Sequence, residues 1–436
     1  GQVTAIIRNR RQILDLKAGD ARENIYGIAF DIGTSKLVGS LFSLVTGNQI
    51  NTAGVENPQL RFGEDIMLRL HYAAVSPQTR KEIQAAVING LNSILQTLTS
   101  TGIPINQIYE VTVVGNTVMT SLFLGLDTTH LAYGPFVPPY RGPIETPSEV
   151  LGLKLLPQSV IYVLPNIAGF VGADAVANIL ATRLYRHKNP SLLIDIGTNS
   201  EVILGSREGI SATSCAAGPA FEGAQIKHGM KAVSGAIERV TLNPESMTFQ
   251  LTTIDDLEPV GICGSGVVDV IAQLVEANLL SKKGRFTKGA EPHLITEGMH
   301  RSILLHGKRS DKTRPYITLS EHDISQLLLA KAAIQTGYII LLKMHELIPD
   351  ALDKIFIAGA FGNYLNTANA RRIGLIPQVP LEKVVFVGNA ALAGAQLTLL
   401  STAQRKIATR LAITTKFIDL ARHPDFSRIY AASLFI

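Results

Sequence analysis

The stretch "YGIAFDIGTSKLVGSLF", beginning at Tyr26, returns in close form at Ser191 as "SLLIDIGTNSEVIL". In the first copy Tyr26, Ile28, Phe30 and Ile32 alternate with Gly27, Ala29 and Asp31, the period of a β-strand. Each copy then reads Asp-Ile-Gly-Thr as a turn and leaves as a second apolar strand. Each is followed by further strands and helices, so the pattern predicts two similar α/β halves. The length of 436 residues agrees with two domains. Two ordinary β-turns would also favour Asp, Gly, Thr and Asn. The matching contexts of the two copies weigh towards a shared chemical purpose.

Hydrophobic residues make up 46% of the chain, enough for large cores. The net charge is +5, and the densest basic stretches are "RNRR" at 8–11 and "SKKGR" at 281–285. Such short runs read as solvated surface, so nucleic-acid binding is not expected. There is no run of about 18 apolar residues and no signal-peptide core at the start, so neither a membrane span nor export is expected. The two cysteines, Cys215 and Cys263, form no C-x-x-C pattern, which argues against a zinc ribbon or disulfide framework. A cytoplasmic location is the expectation.

Residues 1–25 read as two short strands about a basic turn, a remnant hairpin of a preceding domain in a longer protein. The first lobe is expected over 26–185, joined by 401–436, and the second over 186–400. Helices are predicted over 78–98, from Thr117, over 166–184, after "GICGSG" at 261–266 and over 320–347. Ser320 serves as N-cap of the last of these, with Asp323 three residues on. The segment 133–148 holds Pro135, Pro138, Pro139, Pro143 and Pro147 and reads as loop, and 282–316 as a polar loop or hairpin excursion. Each half ends in a helix rich in Gly and Ala, and two such helices crossing between the lobes would make a hinge.

The candidate site follows from the turns. An Asp closing a buried strand, here Asp31 and Asp195, can hold the waters of a magnesium ion or orient a water for attack on phosphorus. Gly33 and Gly197 let backbone N–H groups approach phosphate oxygens, and Thr34, Ser35, Thr198 and Asn199 add donors. Two such hairpins would clamp a polyphosphate from both sides. In "IFIAGAFGNYL" Gly359 and Gly362 would let the backbone lie against a nucleoside, though a plain tight turn is equally compatible. "GICGSG" precedes a helix whose N-terminus favours an anion, or is a close-packed turn. Glu222 in "CAAGPAFEGAQI" stands beside Gly218 and Gly223, as a base, a metal ligand or a structural acid. No histidine pattern indicates a metal, and neither a P-loop nor a G-x-G-x-x-G fingerprint is present. Cys215 and Cys263 are expected as buried thiols, with a cluster shared between two chains as the alternative.

The paired hairpins and the late "AGAFGN" turn resemble the two-lobed actin-like ATPases, with ribonuclease H-like lobes, of the acetate and sugar kinase, heat-shock chaperone and actin superfamily. "ENPQLRFGEDIMLRLHYA" (56–73), "VVGNTVMTSLFLGLD" (113–127), "PFVPPY" (135–140), "AGPAFEGA" (217–224), "GICGSGVVDVIAQL" (261–274) and "LLLAKAAIQTGYIILL" (327–342) are similar to the ATPase portion of reductive activators of corrinoid proteins. This resemblance implies an ATPase that drives a corrinoid cofactor from Co(II) to Co(I) within a methyltransferase or O-demethylase system. The electron would come from an external donor through an iron–sulfur cluster in an N-terminal ferredoxin-like domain. It implies ATP and Mg²⁺ as cofactors. Asp31, Gly33, Thr34, Ser35, Asp195, Gly197, Thr198 and Asn199 would serve phosphates and magnesium. Gly359, Ala360, Phe361 and Gly362 would lie near adenosine, with Asn116, Gly218, Glu222, Gly264 and Gly266 as cleft residues. Lys331 matches the family's helix with no role assigned. The ferredoxin-type cysteines are absent, so this chain should handle ATP and pass no electron. Thr120 and Ser121 stand where relatives often have histidines. A corrinoid protein is the expected partner and a homodimer is possible. A small-molecule kinase of the same superfamily, or an activator with a cluster bridged between subunits, are the alternatives.

Overall fold

The computed structural model describes residues 1–436 apart from 101, 244, 298–299 and 309–315, and apart from the side chains of 297, 360 and 363. The parts of the expected excursion at 298–299 and 309–315, and the side chain of Ala360, therefore lie outside the described atoms. Two compact units emerge. One comprises Gly1–Tyr185 with Asn389–Phe417, the other Arg186–Gly388 with Ile418–Ile436.

In the first unit a hairpin, β1 (Val3–Arg8) and β2 (Gln12–Ala18), precedes β3 (Tyr26–Ile32), β4 (Lys36–Ser43) and β5 (Gln49–Glu56). Helices α1 (Ile66–Ala74) and α2 (Pro77–Thr99) follow, then β6 (Ile108–Gly115), α3 (Thr117–Phe123) and the single turn α4 (Thr129–Ala132). The unit continues with β7 (Ile144–Pro147), the short α5 (Ser148–Leu151), β8 (Val160–Val163) and α6 (Ala173–Thr182). The sheet order is β5-β4-β3-β6-β8-β7. β3, β6 and β8 run parallel, β4 and β5 continue antiparallel, and β7 closes the other edge antiparallel to β8.

The hairpin packs on this unit rather than standing apart. Ile6 and Leu14 are buried with Tyr109 and Val160. Arg8 pairs with Glu145 at 2.8 Å, and the Tyr109 hydroxyl donates to Asp15 at 3.0 Å. Helix α6 is shorter than the expected 166–184, because the residues before it are committed elsewhere. The N–H groups of Leu164 and Asn166 donate to Val113 and Arg141, and those of Ile167 and Ala168 close a loop on Val171. The proline-rich segment holds β7 and α5 within an otherwise irregular path.

The second unit repeats the plan. It contains β9 (Ser191–Asp195), β10 (Ser200–Ser206), β11 (Gly209–Cys215), β12 (Ala236–Asn243), β13 (Thr248–Thr253) and β14 (Gly261–Ile262). Helix α7 (Gly264–Glu276) leads to the strands β15 (Leu294–Glu297), β16 (His300–His306) and β17 (Ile317–Ser320), then α8 (Glu321–Met344), β18 (Ile355–Ala358), α9 (Thr367–Arg372) and β19 (Val384–Gly388). The central strands run in the order β19-β18-β9-β10-β11. β9, β18 and β19 are parallel, and β10 and β11 extend antiparallel from β9. Read from β5 or from β11, the two sheets share one five-strand order and direction pattern, which is the doubled architecture implied by the repeated turn. The polar excursion is a sheet of β15, β16 and β17. Ser320 caps α8 in a full capping box with Asp323. Helix α8 is long and apolar enough to span a membrane, yet most of its length is buried inside this unit.

The chain then returns to the first unit with α10 (Ala390–Leu400) and α11 (Thr402–Thr414), and ends in the second with α12 (Phe426–Ser433). This differs from the expected boundary at 400/401. The small-residue helices α6 and α10 do not divide between lobes as a hinge; both belong to the first unit. A Cβ at Gly394 would sit 2.3 Å from the Ala177 carbonyl oxygen, so the two backbones touch there. Removing one side chain lets α10 settle on α6, and α10 packs on β3 and β6 of the same unit as well.

Candidate functional site

Parallel strands place their carboxyl ends on one edge of a sheet, where open α/β sheets bind ligands. In the first unit those ends are Ile32, Gly115 and Val163; in the second they are Asp195, Ala358 and Gly388. Most of the predicted residues lie at or beside these edges.

In the first unit Asp31 is half-buried near the end of β3. Its Oδ2 accepts a hydrogen bond from Asn389 Nδ2 at 2.8 Å. Asn389 is held in turn, its Oδ1 capping α10 through the Leu392 N–H at 2.8 Å. The turn closes with the Gly33 N–H donating to Lys36 O at 3.0 Å, and a Cβ on Gly33 would lie 2.6 Å from that oxygen. Asn57 Nδ2 donates to Gly33 O at 2.8 Å, and the Asn57 N–H donates to Ser35 O at 3.0 Å. Asn116, the N-cap of α3, donates through Nδ2 to Thr34 Oγ1 at 3.1 Å. Thr34 and Asn116 are both buried. Two asparagines thus hold the turn from behind, leaving Asp31, Gly33 and Ser35 half-buried at the edge. Thr120 and Ser121 donate back to carbonyls of their own helix, at Asn116 and Thr117, which gives them a structural use.

In the second unit Asp195 closes β9, and Thr198 Oγ1 donates to Glu222 Oε1 at 2.5 Å. Gly359 follows β18 with φ of 93°, and a Cβ there would lie 2.4 Å from Ile196 O and 3.1 Å from Asp195 Oδ1. Only a residue without a side chain fits against that strand end. Gly264 opens α7 directly beneath the Glu222 turn: a Cβ would meet Phe221 O at 2.1 Å and the Phe361 ring at 2.9 Å. The rings of Phe221 and Phe361 pack with centroids 5.0 Å apart, tilted by 51°. Asp195, Thr198, Glu222, Gly264, Gly359 and Phe361 therefore form one contiguous group. Gly218, at φ of 73°, has open space where a Cβ would point, the kind of surface a ligand can lie against. Gly197 meets only Asn199 O, at 3.3 Å, and Asn199 is half-buried beside it. Two predicted residues belong elsewhere: Gly266 packs against Ile237 O, and Gly362 against the side chains of Ile357 and Phe386.

Sequence reading missed Asn57 and Asn389. The signals available were an Asn before Pro in "ENPQ" and an Asn opening the small-residue helix in "GNAALAG".

Among the described residues no group of three or more metal-ligating side chains gathers. Magnesium is held by one or two carboxylates together with waters and substrate phosphates. The single carboxylates of Asp31 and Asp195 suit that manner of binding. An iron–sulfur cluster is not fitted by this chain. Cys215 is 1% exposed, and burial pushes its thiol well up from the ordinary range, with Glu201 adding to the effect. Cys263 is 3% exposed, within 3.3 Å of Ile237 O. Both thiols are packed inside the second unit, which removes the bridged-cluster alternative. Lys331 is also structural: its Nζ donates to Ser433 O, Phe435 O and Gln335 Oε1 at 2.5, 2.7 and 3.0 Å, tying the final residues to α8.

Two family models match nearly the whole chain: the RACo middle region over residues 26–187, and the C-terminal domain of RACo, the ASKHA domain, over 189–436. The corrinoid activation enzyme RamQ of Eubacterium limosum is 35% identical over 435 residues, covering 98% of this chain and 73% of that protein. The [Co(II) methylated amine-specific corrinoid protein] reductase of Methanosarcina barkeri is 28% identical over 443 residues, covering 94% and 77%. A solved reductive activator for a corrinoid, iron–sulfur protein superposes with a TM-score of 0.88 at 34% identity, covering 97% of this chain and 68% of the other. The doubled sheet, the two Asp-Ile-Gly-Thr edges and these matches agree, and the chain belongs to the RACo family of corrinoid reductive activators, with the actin-like ASKHA fold.

Proposed function

We propose that this chain is the ATP-binding and ATP-hydrolysing module of an activator that returns the cobalt of a corrinoid protein from Co(II) to Co(I) in a methyltransferase system. The observation that carries this reading is the match to RamQ along 98% of the chain at 35% identity. The repeated Asp-Ile-Gly-Thr edges give it a physical basis. In the first unit the Gly33 N–H is used within the turn, on Lys36 O, and the backbone of Thr34 and Ser35 with the Ser35 hydroxyl would be the groups brought to phosphate oxygens. In the second, the turn at 197–199 offers the same, with Phe361 and the Gly359 turn beside Asp195 for the nucleoside. Asp31 and Asp195 hold Mg²⁺ through its waters, and Glu222 is the acid placed to orient a water. Magnesium, when bound, neutralises the phosphates during hydrolysis.

Electron transfer belongs to a separate iron–sulfur domain fed by an external donor, and the partner is the corrinoid protein itself. Action in the cytoplasm, as a homodimer, is part of the same proposal. The kinase alternative has no support among these relatives.

Calorimetry with ATP and ADP in the presence of Mg²⁺ tests the core of the reading; failure to bind either nucleotide sinks it. Asp195→Ala should abolish phosphate release while circular dichroism stays unchanged. Co-sedimentation with a corrinoid protein, with and without nucleotide, tests the partner.

A further inference from the structure

Arg69 is fully buried in α1, inside the stretch "NPQLRFGEDIMLRL". Its Nε donates to Gly63 O at 2.9 Å and its Nη1 lies 3.3 Å from Met119 Sδ. Its Nη2 has no hydrogen-bond partner, and no carboxylate pairs with it among the described residues. Asp65 is the acid that acts on it, but Asp65 Oδ1 is occupied in capping α1 through the Met67 and Leu68 N–H groups. Desolvation holds the guanidinium down at about 10, still charged at neutral pH. A fully buried cation whose acidic neighbour, Asp65, is half-buried and engaged in a helix cap rather than in an ion pair is costly, and an apolar residue of similar size would be the more stable choice. Something in the working protein offsets that cost.

The placement of Arg69 indicates what does. Met119, which it touches, is on α3, the helix capped by Asn116, and Asn116 holds Thr34. Asn57 Nδ2 lies 3.8 Å from the same sulfur and donates to Gly33 O. The guanidinium and Asn57 therefore meet at one sulfur, on the helix that Asn116 caps, so Arg69 is one residue removed from the asparagines that carry the 33–35 turn. In this dry interior its field is little screened.

We infer that Arg69 is a positioning residue for the nucleotide, a buried cation whose counter-charge is the polyphosphate at the 33–35 turn. The inference rests on the phosphate reading of that turn. Arg69 does not touch the nucleotide; it supplies positive potential through the turn and keeps the two asparagines in place.

The test compares ATP, ADP and adenosine by calorimetry, with Mg²⁺, on the wild type, Arg69→Met and Arg69→Lys, alongside urea unfolding. Arg69→Met should weaken ATP about tenfold, ADP less and adenosine hardly at all, at unchanged or increased stability. Arg69→Lys keeps the charge and should keep most of the preference for ATP; should the Met variant fail to fold, loss of that preference in the Lys variant overturns the inference. Equal weakening of ATP and adenosine in Arg69→Met means a merely structural role and also overturns it, as does unchanged ATP binding. If the wild type itself binds adenosine as tightly as ATP, the phosphate reading of the turn has failed, a result distinct from failure of Arg69 alone.

Discussion

Thr198 and Glu222 are joined by a hydrogen bond of 2.5 Å from hydroxyl to carboxylate, although 23 residues of strand and turn separate them in the chain. The bond binds the turn after Asp195 to the glycine-flanked acid of the next loop. If Glu222 orients the attacking water, Glu222→Gln should lower phosphate release by about a hundredfold while leaving nucleotide affinity little changed. Thr198→Val should lose less, since it disturbs only the orientation of the acid. Steady-state phosphate assays with parallel calorimetry separate the two effects. Equal turnover in Glu222→Gln and the wild type would leave the acid a structural role.

Gly359 presses its backbone against the end of β9. Gly359→Ala forces a side chain to within 2.4 Å of Ile196 O at a φ of 93°. The expected cost is about 1–3 kcal/mol, through both strain and displacement. Because the same Cβ lies 3.1 Å from Asp195 Oδ1, magnesium-dependent hydrolysis should fall as well. Thermal unfolding and a magnesium titration of activity report the two parts. A variant that unfolds like the wild type contradicts the predicted clash.

Lys331 carries a pH dependence with a definite sign. Burial lowers its amine to about 8 from 10.5, whereas in the unfolded chain it keeps its proton to about 10.4. Between those values the unfolded state binds more protons, so this residue's contribution to stability improves as pH rises through the window. Below pH 8 the charge is buried at full cost, offset by the three oxygens it reaches. Wild type should therefore gain about 1–3 kcal/mol relative to Lys331→Met between pH 7.5 and 9.5. Urea midpoints of the pair at both pH values measure it. A constant difference would mean that those oxygens keep the amine protonated throughout.

The elements that sequence revealed were those whose signal is local. The alternation through Tyr26, Ile28, Phe30 and Ile32 and the repeat at Ser191 gave the strands, the turns and the doubled plan. Family-specific stretches gave the identity. What stayed hidden depends on contacts across long separations. Nothing near Asp31 announces Asn389, 358 positions away. Nothing in "LRLHYA" tells that Arg69 faces inwards, since an arginine on a short helix ordinarily looks to solvent. The amphipathic strands β12 and β13 lie in a stretch whose polar face obscured them. That α10 packs within the first unit is hidden for the same reason: its small residues show that something approaches closely, without saying what.

The contact of Gly394 with Ala177 has a consequence for biosynthesis. The whole second unit up to Gly388 is an insertion between the two partners. A ribosome must therefore make nearly all of the chain before the first unit can be completed. Until then α6 presents a groove of alanines with nothing seated in it. A nascent chain stalled before residue 390 would be an early client for a chaperone, even with its central sheets already formed.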